Sequence, residues 1–296
     1  MTPLKRLPTV AIAGGSGHLD IILLKRKTGN KSAQEKSAES TTRYYDEANL
    51  ADSLKDVDVL INTIGTSGYA FRDQLLSAVA VSNVKLYIPS EFGVDHTVHD
   101  FDHPEWDHKK IHFNLANETL RTTRICRIFI GLFTEDSIGP WFGFNTKDAV
   151  YECIGSQDTP VSFTALVDVG KAVAQLSRMP VDTVPSQLHL GGDTVTVRDI
   201  AQVMEKAGSS SIRIIELDLP EFKRRTLNTE TSDPSQHIRF LMGEGRVDHS
   251  ENRFGNDNQL VNKDESIWKW MTMKQYASES KGRPWSGVGW SGSDLV

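Results

Sequence analysis

The stretch Val10–Gly17, read VAIAGGSG, is an apolar run that empties into a glycine turn close to the amino terminus. A strand that is apolar at successive positions, with no polar alternation, belongs to a sheet covered on both faces, the habit of parallel α/β sheets. Gly14 and Gly17 leave backbone N–H groups clear of side chains, which suits a turn that approaches a pyrophosphate. A dinucleotide is therefore the first expectation. The spacing departs from the usual pattern, because Asp20 stands where a third glycine would fall and a second apolar run, Ile21 to Leu24, begins at once.

Charge and cysteine usage narrow the partners. With 33 basic and 39 acidic residues the formal charge is −6, so the chain lacks the basic footprint of a nucleic-acid or anionic-membrane binder. A small-molecule partner is expected instead, with a homodimer left open. Cys126 and Cys153 are the only cysteines and form no Cys-x-x-Cys, and the opening MTPLKRLP lacks the apolar core of a secretion signal. A reducing, cytoplasmic setting is the expectation. No apolar segment approaches the ~18 residues of a membrane-spanning helix.

Along the chain, strand-like and helix-like patterns alternate. After Lys25, Arg26 and Lys27 the segment TGNKSAQEKSAESTT reads as a solvated loop. Asp46 to Lys55 places Leu50 and Leu54 at i, i+4 for a short helix, and Val57 to Ile61 is a strand. Phe71 to Val81 has helical spacing, Lys85 to Ile88 is a strand, Pro104 to Leu120 a helix with proline in its first turn, and Arg124 to Ile130 a strand. Such alternation predicts a Rossmann-like, doubly wound parallel sheet. Beyond it, strands are predicted over Asp158 to Val167 and Gln187 to Leu190. Helices are predicted over Asp168 to Leu176, capped by Asp168, and Thr196 to Ala207. Asn228 to Asp257 is polar and weakly periodic, and Glu265 to Ser280 is a Trp-rich helix candidate. The resulting division is a dinucleotide domain over 1–130, a smaller substrate lobe over 131–285 interleaved with the sheet, and a loose tail over 286–296.

The combination of VAIAGGSGHL, YIPSEFG (87–93) and a lysine-bearing helix some residues later resembles the NmrA-like, isoflavone-reductase-like branch of the atypical short-chain dehydrogenases. GLFTEDSIGPWFGF (131–144) and the closing ESIWKWMTMKQYASESKGRPW look like fungal members. The resemblance implies an NADPH-binding Rossmann domain with a C-terminal substrate lobe. It implies that Gly14, Ser16 and Gly17 hold the pyrophosphate and that Arg26, with Lys27 as substitute, meets the 2′-phosphate, where a guanidinium fork can bond two oxygens. Thr63 to Gly65 would pass beside the cofactor, and Pro89 to Phe92, with Ser90 and Phe92 shaping the ring site, would lie near the nicotinamide.

The family's catalytic lysine overlays best on Lys109 in Trp106-Asp107-His108-Lys109, with Lys110 one residue out of register. On a helix the two point about 100° apart, so only one can face the cofactor. Burial or a cationic neighbour would draw the chosen lysine toward neutrality, fitting it to give a proton. None of the six tyrosines has lysine four residues on, so the Tyr-x-x-x-Lys pair of ordinary short-chain dehydrogenases is absent. The implied activity is NADPH-dependent reduction of a small enone, imine or carbonyl in secondary metabolism. The alternative is a dinucleotide-sensing regulator that binds a partner protein without turnover.

Two features set limits on these expectations. If VAIA and IILLKR are consecutive parallel strands, the residues between them are too few for a crossover helix, which needs about 10 to 12 residues. If HLDIILLKRK is itself the helix, the second strand must be sought in the polar stretch that follows. His108 and His112 have i, i+4 spacing, yet no His-Glu-x-x-His is present and no metal is expected. Trp268, Trp270 and Met273 read as packing residues, whereas Phe133, Trp141, Phe142 and Phe144 either pack the lobe or wall a substrate.

Overall fold

Unbroken apolar runs make the central strands. The computed structural model describes residues 8–13, 22–26, 43–45, 50–65, 68–229 and 233–287. Its first sheet comprises β1 (Val10–Ala13), β2 (Ile22–Arg26), β3 (Arg43–Tyr45), β4 (Val59–Asn62), β5 (Leu86–Ile88) and β6 (Arg124–Ile125). Every residue of β1, β4 and β5 is buried, as strands covered on both faces require. The order is β3-β2-β1-β4-β5-β6 and every pairing is parallel, so the sheet is of the doubly wound Rossmann kind. β1 and β2 run side by side, Ala11 opposite Ile22, with only residues 14–21 between them in the chain. The alternative that makes HLDIILLKRK a helix is thereby set aside.

Helices α1 (Leu50–Ser53), α2 (Tyr69–Ala80) and α3 (Pro104–Thr119) accompany this sheet. Leu75, Leu76 and Val79 of α2, Ala116 of α3 and Leu50 and Leu54 join Leu60, Tyr87 and Ile125 in one apolar cluster. The expected strand from Arg124 to Ile130 is broken at Cys126. Cys126 N–H still reaches the Tyr87 carbonyl (3.0 Å), but Arg127 N–H turns to the Ser186 carbonyl (3.0 Å), and the chain changes partner there.

Two compact units divide the chain. One contains Met1–Glu91, Glu105–Ile128 and Gly170–Leu188, the other Phe92–Pro104, Phe129–Val169 and His189–Val296. The second unit holds two small sheets. In one, Val150–Ile154 lies between Phe144–Asn145 and Arg213–Leu217; in the other, Val161–Thr164 lies between Leu132–Phe133 and Asp193–Val195. Its helix Val197–Ala207 opens on a capping box, Thr196 and Asp199 each bonding the other's backbone N–H.

Three local expectations are corrected here. Asp168 does not cap its helix, which starts at Leu166; the Leu166 N–H is taken by the Glu135 carboxylate (3.0 and 3.1 Å), and Asp168 Oδ2 instead accepts Met271 N–H (2.6 Å). The Trp-rich stretch is helical only over Met273–Glu279. Upstream, Asp264 and Glu265 have positive φ, and Asn262 ties down the chain by accepting Ile267 N–H and donating to the Trp268 carbonyl. Ser235–Gly243, inside the polar and weakly periodic Asn228 to Asp257 for which no element is expected, is a helix. Residues 288–296, most of the expected tail, lie outside the described residues. Among those described, no helix is long and apolar enough to cross a membrane.

Candidate active site

β1 stands where the strand order reverses, with β2 on one side and β4 on the other. In doubly wound sheets ligands bind at the carboxyl ends of the strands flanking that point. The chain leaving β4 there is tied down atom by atom. Thr63 N–H and Oγ1 both donate to the Ala13 carbonyl, at 2.8 and 3.1 Å, which draws the loop across the end of β1. Ile64 N–H donates to Asn62 Oδ1 (2.9 Å), while the Ile64 carbonyl accepts from Arg72 Nε (3.0 Å) and from Arg72 Nη2. Gly65 is exposed, with open space where a side chain would stand, whereas a Cβ at Gly68 would run into Ile64.

At the end of β5, Pro89-Ser90-Glu91 turns so that Glu91 N–H meets the Pro89 carbonyl (2.8 Å). Lys109 reaches this turn from α3: its Nζ donates to the Glu91 carbonyl at 3.2 Å and lies 3.7 Å from Glu105 Oε1, one helical turn earlier. Only 14% of the Lys109 side chain is exposed. Burial pushes its ammonium below the ordinary lysine range; the charges of Glu91 and Glu105 oppose that fall and Arg72 adds to it. Lys110 is 35% exposed and pairs with Asp107 at 3.1 Å, so of the two lysines it is Lys109 that faces the strand end.

The remaining expected site residues are placed as follows. Ser90 is half-buried in the β5 turn, and Phe92, half-buried, begins the second unit. Arg26 is the last residue of β2. Gly14, Ser16, Gly17 and Lys27 lie outside the described residues. His108 and His112 diverge: His108 stacks on Tyr69, ring centroids 4.4 Å apart, and buried His112 meets the Tyr87 hydroxyl at 2.8 Å. Among the described residues no group of three His, Cys, Asp or Glu is arranged to hold a metal. In the second unit Trp270 and Met273 are buried, and Phe144 packs edge-on to Tyr151.

Sequence reasoning missed Arg72, Glu105 and the Asn62–Tyr87–His112 series. A signal for Arg72 was available. It falls on the same helical stripe as Leu75, Leu76 and Val79, and a cation on an apolar stripe must bring its own acceptor.

A family model described as the NmrA-like family matches residues 17–277. The chain belongs to the NmrA-like family. A curated relative, the NmrA-like family domain-containing oxidoreductase of Gibberella moniliformis, is 25% identical over 181 residues, 60% of this chain. The NmrA-like chain spans only 59% of that relative's length. Among solved structures, AtPrR2 with NADP+ and (+)pinoresinol matches at a TM-score of 0.76 and 16% identity, over 93% of this chain and 99% of that one. The leucoanthocyanidin reductase–NADPH binary complex of Vitis vinifera matches at 0.71 and 17% identity, over 92% and 99%. At these identities the likeness establishes the Rossmann-like fold of this NmrA-like chain.

Proposed function

We propose that this chain is an NADPH-dependent reductase of a small enone, imine or carbonyl compound, acting in cytoplasmic secondary metabolism. The observation that carries the reading is the buried amine of Lys109, held at the carboxyl edge of the sheet by the Glu91 carbonyl and the Glu105 carboxylate. An oxidoreductase among the relatives, a solved neighbour holding NADP+ and a reductase holding NADPH support the coarser part of this reading, nicotinamide-dependent oxidoreduction.

The described residues fit a dinucleotide at this edge. The Thr63–Gly65 loop is fixed through Ala13, Asn62 and Arg72, so laying a flat ligand along it costs no further ordering of that backbone. Gly65 leaves the loop tip open to close approach. In this reading Gly14, Ser16 and Gly17 hold the pyrophosphate, Arg26 meets the 2′-phosphate, Thr63 and Gly65 flank the cofactor, and Ser90 and Phe92 border the ring. When bound, NADPH supplies the hydride. Lys109 orients the substrate's oxygen or nitrogen and gives it a proton, then regains one from solvent. An amine whose ammonium is made more acidic by burial gives up its proton more readily than an exposed lysine.

The test is a calorimetric NADPH titration together with nucleotide oxidation against a panel of carbonyl, enone and imine compounds, for wild type and Lys109→Ala. Binding with turnover that Lys109→Ala lowers by about 10²- to 10⁴-fold supports the reading. Binding without turnover on any member points to the regulator, and failure to bind NADPH overturns the proposal.

A further inference from the structure

The geometry points to Tyr69 as a positioning residue: we propose that the side-chain stack Arg72–Tyr69–His108 couples the Ile64 loop to the Lys109 turn of α3 and so sets where the lysine reaches. This rests on the reading that Lys109 delivers the proton.

Three contacts make the connection. The Arg72 guanidinium, which grips the Ile64 carbonyl, lies over the Tyr69 ring, 4.6 Å from its centroid. The Tyr69 ring stacks on His108, 4.4 Å between centroids and 24° between planes. His108 is the residue directly before Lys109, and the Tyr69 hydroxyl also points to the backbone carbonyl of Glu105, at 3.5 Å. The loop proposed to carry the cofactor and the turn that carries Lys109 are thus joined through one aromatic ring.

Core packing does not account for this stack. Tyr69 is half-buried and His108 exposed, and neither belongs to the apolar cluster of the sheet. A surface stack of this kind adds little to folding, but it restricts how α3 sits, and displacement of an aligned reacting group by about 1 Å can cost about 10²-fold in rate. The charged groups around Lys109 are Glu91 from the β5 turn, Glu105 on α3 itself and Arg72 on α2. Without the ring the Lys109 turn gains water. That weakens the desolvation which depresses the ammonium and moves it upward, toward the ordinary lysine range.

The experiment is competitive acetylation of the nucleotide-free protein with trace acetic anhydride across a pH series, read at Lys109 by peptide mass spectrometry. Tyr69→Leu is expected to raise the Lys109 midpoint and to change its labelling rate by about threefold or more, through solvent access alone. Tyr69→Phe, which keeps the ring and lacks the hydroxyl, is expected to keep the wild-type profile, placing the effect in the stack and not in the 3.5 Å contact to the Glu105 carbonyl. Should Tyr69→Leu fail to fold, as judged by circular dichroism, His108→Ala at the exposed end of the stack carries the same expectation. An unchanged Lys109 profile in the folded variant, or a Tyr69→Phe profile as disturbed as that of Tyr69→Leu, overturns the inference. Full turnover by Lys109→Ala would overturn the proposed function alone, since the labelling experiment needs no catalysis.

Discussion

The Tyr87 hydroxyl donates to His112 Nε2 across 2.8 Å, and both groups are buried. The direction of that bond is forced by its neighbours. Asn62 Oδ1 is taken by Ile64 N–H, so its Nδ2 donates to the Tyr87 oxygen (2.8 Å), and the tyrosine proton is left for His112. His112 is then a neutral imidazole with its proton on Nδ1, directed at Asp73 Oδ1 at 3.4 Å. Burial holds its conjugate acid below the ordinary histidine range, in agreement with that tautomer.

Tyr87→Phe keeps the ring of this series and removes its middle link. Asn62 Nδ2 and His112 Nε2 would both lose a partner in a dry interior, at a cost of about 1–3 kcal/mol. Urea denaturation should show the midpoint falling with an unchanged slope. If the midpoint does not move, the buried series contributes nothing to stability.

Arg72→Met removes a guanidinium that gives two N–H groups to one carbonyl and leaves the Ile64 carbonyl without them. The expected loss is about 1–3 kcal/mol by the same reasoning. The Lys109 ammonium should move in the other sense from a simple destabilisation. Arg72 depresses it, so without Arg72 it rises, and the alkaline limb of any activity that needs the Lys109 ammonium shifts to higher pH. A pH–rate profile of the variant checks the direction.

In the second unit Asp95 and His189 form a buried pair at 3.0 Å, with Thr97 giving Asp95 two further hydrogen bonds. Burial raises the Asp95 carboxyl, but the bonds from His189 and Thr97 outweigh it and hold it at about 2, against 3.8 for an ordinary aspartate. A depressed carboxyl stabilises the fold above pH 3.8, and the contribution is lost as pH falls through about 2. Asp95→Ala, which removes the carboxylate that His189 and Thr97 bond, should cost about 1–3 kcal/mol at neutral pH, measured by chemical denaturation.

What the sequence revealed, and what it hid, follows from how each element is stabilised. β1, β4 and β5 are buried on both faces, so their apolar runs stand out against any background. β3, Arg43–Tyr45, is a three-residue strand that among the described residues has a partner on one side only, and the polar stretch before it gave no periodicity to read. The helix Ser235–Gly243 was hidden because its buried face includes His237 and Arg239, the latter paired with Glu152 at 2.9 Å. Buried polar groups defeat an apolar count in the same way at Arg72. Lys109 was legible from its motif, but its preference over Lys110 was not, since that depends on which side of α3 meets the Glu91 carbonyl. The role of Asp168 depends on Met271, over a hundred residues away in the chain, and no local pattern carries it.

His249 predicts an acid sensitivity distinct from that of Asp95. Its ring is fully buried, and Nδ1–H donates to the Leu190 carbonyl at 2.8 Å. Nε2 has no hydrogen-bond partner among the described residues, so a second proton there would point at nothing that accepts it. Burial accordingly pushes its conjugate acid down to about 4, from an ordinary 6.5. The unfolded chain therefore takes up a proton at this histidine as pH drops below 6.5, and the folded chain does so only near 4. Stability contributed by the neutral ring is complete above pH 6.5 and declines between 6.5 and 4, at about 1.4 kcal/mol per pH unit at most. Urea midpoints measured at pH 7.5, 6 and 5, values chosen as roughly spanning that window, should fall steadily for the wild type. His249→Gln, which cannot take up the proton, should start from a lower stability at neutral pH and show a shallower decline. Parallel declines in the two proteins would place the acid sensitivity elsewhere in the chain.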